Sequence, residues 1–192
     1  MATFGFIRHG STAWNKERRA QGSSNIPLDQ DGINEARLVA ERLSGESWDV
    51  IYASPQLRAK QTAEIIAITL GVDEIHFDPR LREINGGQIE GTTESERIVR
   101  WGNNWRELDL GIEQHESVVE RGLAAVRDIS DANPDKNILI VSHGVFIRKI
   151  ISELAPALSE EAALLNTAVT VLEENGEVWE CSLYNCTKHL RK

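Results

Sequence analysis

The sequence predicts an α/β fold: a three-layer sandwich with a mostly parallel central sheet, a C-terminal antiparallel hairpin and a small cap insertion. Three observations carry this. Short apolar runs alternate along the chain with amphipathic stretches of helical spacing, the pattern of strands joined by crossover helices. The runs TFGFI and NILIV are short and apolar, as strands buried on both faces are. Near the end, the pattern becomes alternating on either side of Asn175-Gly176, a strong hairpin signal.

Taken in order, TFGFI is the first strand and turns polar at Arg8. The polar stretch from about Ser11 to Gly32 reads as a loop. In INEARLVAERL, Ile33, Ala36, Val39, Ala40 and Leu43 share one helical face, with charges on much of the rest. WDVIYAS is the next strand, and Pro55 marks a break. RAKQTAEIIAITLG reads as a helix ended by Gly71. EIHFDP is a third, short strand. Residues 85–116 differ: they hold five glycines and both Trp101 and Trp105 among many charges, and are expected to form a small, mostly helical cap. SVVERGLAAVRDISDANP returns to helical spacing. NILIV is the clearest buried strand, and SHGVFIRKIISEL follows it as a helix.

A chain of 192 residues suits one domain, 1–192, with 85–116 as an insertion within it. The formal charge of -9, from 21 Lys plus Arg against 30 Asp plus Glu, disfavours nucleic acid as a partner. It leaves room for a local cluster of arginine and histidine that binds a small phosphorylated molecule. No apolar stretch is long enough to cross a bilayer, and the N-terminus carries no secretion signal, so a cytoplasmic location is expected. The two cysteines, Cys181 and Cys186, read as reduced packing residues. An exposed edge at the hairpin would permit a homodimer.

Chemistry is expected where the strands end. TFGFI runs into Arg8-His9-Gly10, and NILIV runs into Ser142-His143-Gly144. Parallel strands would deliver both histidines to the same edge, where α/β folds bind ligands. A glycine after each histidine permits close backbone approach and leaves room for a ligand. Arg58 lies near the start of the next helix, where spare N–H groups favour anions. Glu83 follows the short IHF strand. Two histidines, two arginines and one carboxylate suit phosphate better than a neutral group. His9, His143 and Glu83 would in principle make a metal triad, but the adjacent arginines would repel a dication.

These blocks, RHGSTAWN, RAQG, PLDQDGINEA, SPQLRAKQTA, LREINGGQIEG and VSHGVFIR, resemble the histidine phosphatase superfamily, the phosphoglycerate-mutase-like proteins, in its compact phosphatase branch. The resemblance covers nearly the whole chain. It implies a metal-independent phosphomonoesterase acting on a small phosphorylated metabolite, with no cofactor. His9 would be the nucleophile that becomes phosphohistidine. Arg8 and Arg58 would hold the phosphate, and a charged His143 would neutralise its oxygens. Glu83 would protonate the leaving oxygen. Asn15, Gln21, Gly22 and Gly144 would border the substrate.

Two other functions compete. A phosphoglycerate mutase would return the phosphoryl group to a bound acid. The compact chain and the absence of lysine from Gln61 through Asp135 disfavour it, although Arg97, Arg100 or Arg106 would be able to substitute. A phospho-ligand binding protein without catalysis would not need the nucleophile and the proton donor. His115 and the tryptophans Trp14, Trp101 and Trp105 are further candidates for the pocket, with packing the stronger expectation for Trp101 and Trp105. His76 and His189 are expected to be structural and exposed, respectively.

Overall fold

The computed structural model describes residues 2–158, 163–176 and 178–191. Its sheet has six strands in the order β3-β2-β4-β1-β5-β6. These are β1 (Thr3–Arg8), β2 (Val50–Ala53), β3 (Ile75–Phe77), β4 (Asn137–Ser142), β5 (Val169–Asn175) and β6 (Val178–Cys186). The neighbours β3, β2, β4 and β1 are all parallel, while β5 runs antiparallel to both β1 and β6. The hairpin is where the alternation placed it. Asn175 is still paired, opposite Val178, so the turn begins at Gly176 (φ +66°), one residue later than expected.

Helices cover both faces. Alternation along each central strand decides which residue faces which layer. Phe4, Phe6, Ile138 and Ile140 pack toward α5 (His115–Ala132) and α6 (Gly144–Leu154). Ile7, Ile51, Leu139 and Val141 pack toward α2 (Gln30–Leu43) and α3 (Leu57–Leu70). Each such fully buried side chain contributes roughly 1.5–3 kcal/mol over leaving it in water. The helices stop and start as their ends dictate. Asp29 caps α2 by accepting from Gly32 N at 2.8 Å. Gly71 ends α3 in the left-handed conformation, φ +68°.

The 11–32 stretch is less irregular than its polarity suggests. It contains a one-turn helix, α1 (Ala13–Lys16), fixed by a reciprocal capping box between Thr12 and Asn15. Residues 85–116 hold short 3-10 turns and one further helix, α4 (Glu94–Trp101). No helix among the described residues is long and apolar enough to cross a membrane.

The register sets the site. Arg8 pairs with Ser142 across β1 and β4, and His9 N donates to Ser142 O at 2.9 Å. The residues that follow, His9 and His143, therefore emerge side by side. Ala53 pairs with Val141, which brings the end of β2 and the start of α3 to the same edge. Gly10 permits the close backbone approach expected of it, and the approach is to Gly32. A Cβ there would lie 2.5 Å from Gly32 O, so the bare backbone serves the contact between the His9 turn and α2.

Candidate active site

His9 is 2 % exposed, and its Nδ1 lies 2.7 Å from Gly10 O. A carbonyl only accepts, so Nδ1 carries the proton and Nε2 keeps its lone pair. Burial, and then the charges of Arg8 and Arg58, push the His9 pKa well below the usual histidine range. The imidazole is thus neutral, with a basic nitrogen on the side opposite its backbone anchor. Arg58 Nε approaches that nitrogen at 3.3 Å. Gly10 N donates to Thr62 Oγ1, which in turn donates to Arg58 O, tying the histidine turn to α3.

Arg58 is wholly buried. Its Nη1 and Nη2 donate to Ser24 O at 2.7 Å and Gly22 O at 2.9 Å, so it also shapes the 22–24 loop. Burial lowers its pKa to about 10, which leaves it charged at neutral pH. Arg8 donates to Leu164 O at 2.5 Å, while its Nε is buried without a partner among the described residues. A Cβ on Gly144 would lie 3.1 Å from that Nε, so the glycine gives the guanidinium its room.

His143 stands behind His9, with ring centroids 5.2 Å apart. Its Nε2 lies 2.8 Å from Ser54 Oγ, and its Nδ1 is buried with no partner among the described residues. Burial, reinforced by Arg58, His9 and Arg8, pushes its pKa well below the usual range. The charged His143 expected from the sequence is therefore not what the free protein holds. An imidazole sealed from water beside two guanidiniums stays neutral. Glu83 is also buried, and its carboxylate accepts from Ile84 N, Phe146 N and Val145 N at 3.0, 2.9 and 3.2 Å. Two of those donors belong to the first turn of α6, whose orphan N–H groups favour an oxyanion.

These groups meet in a cavity of about 300 Å³. Arg8, His9, Asn15, Gln21, Gly22, Arg58, Glu83 and Gly144 line it, as the sequence led us to expect. His143 lies just beneath the lining. The Thr12 hydroxyl is 3.0 Å from both Asn15 Oδ1 and Gln21 Oε1. The NH₂ groups of both amides make no hydrogen bond among the described residues. One buried and one half-buried guanidinium, an unused Nδ1 and two amides against one carboxylate form a site for an oxyanion.

Other candidates lie elsewhere. Trp14 packs beneath the chain at Gly91 and does not line the cavity. Trp105 is buried, donates to Glu94 and is covered by Arg97 and Arg106. Arg97 and Arg106 are bound to Glu94, Arg100 lies over Trp101, and none of the three reaches the cavity. His115 sits 2.7 Å from Lys149 Nζ, also outside it. His76 lies against Tyr52 within the sheet, the two rings tilted at 32°. His189 is half-buried rather than exposed. It sits between Arg42 and Thr167, and burial takes its pKa to about 4. Thr167 N donates to Arg8 O at 3.0 Å, so this C-terminal contact backs the histidine turn.

Arg121 carries no local signal in the sequence. From α5 it donates to Arg80 O, Arg82 O and Glu83 O, and pairs with Glu113 at 2.8 Å. It thereby holds the segment that carries Glu83. Its partners lie up to 41 residues away, beyond any local pattern. Glu113 is depressed to about 2 against a normal value of 4.5, because Arg121, the Asn85 N–H and Arg82 outweigh its burial. Stability from this group is thus fully present above about pH 4.5 and is lost as pH falls toward 2. Arg121→Met is expected to cost about 2 kcal/mol in urea unfolding at pH 7, since it removes the nearer of the two arginines that hold Glu113 and leaves Arg82 and the Asn85 N–H to do so. The difference from wild type should shrink steadily on acidification through that window. A constant difference would remove the ion pair from the account.

The fold is that of a known family. The family model of the histidine phosphatase superfamily (branch 1) matches residues 4–187, and the chain belongs to that family. Among its relatives, the uncharacterized phosphatase PhoE of Bacillus subtilis is 34% identical over 187 residues, covering 96% of this chain and 94% of that one. The "Probable phosphoglycerate mutase GpmB" of Escherichia coli is 35% identical over 188 residues, covering 92% and 86%. Among solved structures, a phosphoserine phosphatase from Entamoeba histolytica, in complex with 3-phosphoglyceric acid, superposes with a TM-score of 0.85. It is 30% identical, with 100% of each chain covered.

Proposed function

We propose that this protein is a metal-independent phosphomonoesterase that acts on a small phosphorylated metabolite through a phosphohistidine on His9. One observation carries the proposal: the His9 imidazole is neutral, held by Gly10 O in the tautomer that leaves Nε2 unprotonated, and set beside Arg8 and Arg58 in the cavity. Kinship with named phosphatases supports it.

In the first step, Nε2 attacks phosphorus and the P–O bond to the alcohol breaks. Glu83, in its acid form, gives the departing oxygen its proton. In the second step, water attacks phosphorus, its proton passes to Glu83, and the P–N bond breaks. Alcohol and phosphate leave, and both residues are restored. Arg8 and Arg58 stabilise the phosphoryl oxygens in both steps. His143 contributes a hydrogen bond rather than a charge: with the Ser54 hydroxyl donating to Nε2, Nδ1–H becomes a donor. Asn15 and Gln21 offer amide N–H groups, and Gly22 and Gly144 let the backbone come close. Residues 85–116 act as a cap within a single domain, with Gly86 and Ile89 on the cavity wall.

The test is phosphate release from a broad monoester panel in excess chelator, with radiolabelled substrate to trap the enzyme. Release and an alkali-stable, acid-labile phosphoenzyme are expected. Release that requires added metal would overturn the proposal. Phosphoryl transfer between phosphoglycerates, dependent on a bisphosphorylated primer, would move the protein to the mutase reading suggested by the GpmB relatives.

A further inference from the structure

We infer that the cavity recognises a second anionic group on its phosphomonoester, and that Arg148 is the residue that grips it. This rests on the phosphatase reading and deepens it, by naming the substrate class as esters that carry a carboxylate or another phosphate.

The cavity has more cationic lining than one phosphate uses. Four arginines line it: Arg8, Arg19, Arg58 and Arg148. Arg8 and Arg58 flank His9. Arg19 is already neutralised, by Glu17 and Glu96 at 2.7 Å each, and it donates to Gly91 O. Arg148 makes no hydrogen bond or ion pair with any described residue. The arginines of the 85–116 segment are absorbed by Glu94 and Trp101, so no cap cation substitutes for it.

Position supports the assignment. Arg148 lies on α6 four residues after Gly144, on the same helical face, and Gly144, Val145 and Arg148 all line the cavity. One turn of helix places it about 6 Å along the axis from the glycine that accommodates Arg8. The lining also has an apolar part, made by Ile84, Ile89, Val145 and Leu164. A ligand fitting this lining has a phosphoryl group at one end, a short carbon body, and an anion at the other. A guanidinium left facing that wall gains two parallel charge-assisted hydrogen bonds when a carboxylate or phosphate arrives. An uncharged leaving group leaves it with water alone.

Matched ester pairs isolate the effect. O-phosphoserine is compared with O-phosphoethanolamine, which lacks only the carboxylate. Propane-1,3-diol bisphosphate is compared with its monophosphate, so the two pairs separate carboxylate from phosphate as the second group. Wild type should favour the more anionic member of at least one pair in kcat/KM. In Arg148→Met that preference ratio should fall about tenfold or more, through KM. Arg148→Lys should restore part of it, since it keeps the charge but loses the fork. Titration calorimetry of 3-phosphoglycerate against glycerol 3-phosphate, in a His9→Ala background that cannot turn them over, gives the corresponding binding ratio. If no ester is hydrolysed but Arg148→Met erases the binding preference, the phosphatase reading fails and the anion subsite stands. If wild type shows no preference, or the ratio is the same in Arg148→Met, Arg148 is a solvated surface charge and the inference is overturned.

Discussion

His9→Ala should reduce phosphate release by at least about 10⁴-fold and abolish the trapped phosphoenzyme. The loss should fall on kcat, because Arg8 and Arg58 remain to bind the ester. Stability should change little: the substitution leaves the Gly10 carbonyl without its imidazole partner, worth about 1 kcal/mol. A folded variant with residual activity within tenfold of wild type would rule out covalent catalysis at this position. The same geometry makes a pH prediction. The His9 pKa is held well below 6.5 by burial and by Arg8 and Arg58, so the nucleophile stays unprotonated on the acid side of neutrality. Wild-type kcat/KM should show no falling limb near pH 6.5 from this residue.

Glu83→Gln should separate acid catalysis from scaffolding. The carboxylate accepts from Ile84, Val145 and Phe146 N–H groups, so it also ties the LRE segment to the start of α6. Glutamine retains one acceptor oxygen and has no proton to give an alkoxide. For an alkyl phosphate the expected loss in kcat is about 10²–10⁴-fold. For 4-nitrophenyl phosphate, whose phenolate leaves without protonation, the loss should be at least tenfold smaller. Equal losses on both esters, together with a lowered Tm, would assign Glu83 to holding α6 rather than to proton transfer.

Much of this site was legible in the sequence because its signals are local. Apolar runs ending in Arg8-His9-Gly10 and Ser142-His143-Gly144 state that two strands end in histidines. A parallel pairing then leaves them little choice but to meet, and Arg8 opposite Ser142 is that pairing. Arg148 stands inside the VSHGVFIR block, and its spacing of four from Gly144 was a usable sign that it shares the lining face. The polar 11–32 stretch hid α1, because a single turn held by Thr12 and Asn15 has no apolar periodicity to show.

The sequence by itself determined the layered α/β fold, the strand ends that bear His9 and His143, and the blocks that supply Arg58 and Glu83. Periodicity and turn chemistry act over a few residues, so they are written in adjacent letters. Tertiary structure alone decided that His143 is neutral, that Gly10 yields to Gly32, and that Arg121 and Glu113 clamp the Glu83 segment. It also decided how the arginines are used: Glu94 engages Arg97 and Arg106, while Arg148 lines the cavity with no ion pair among the described residues. Each of these depends on groups far apart in sequence being withdrawn from water together. Burial and pairing set the charge state and the availability of a side chain, and neither exists until the chain has closed on itself.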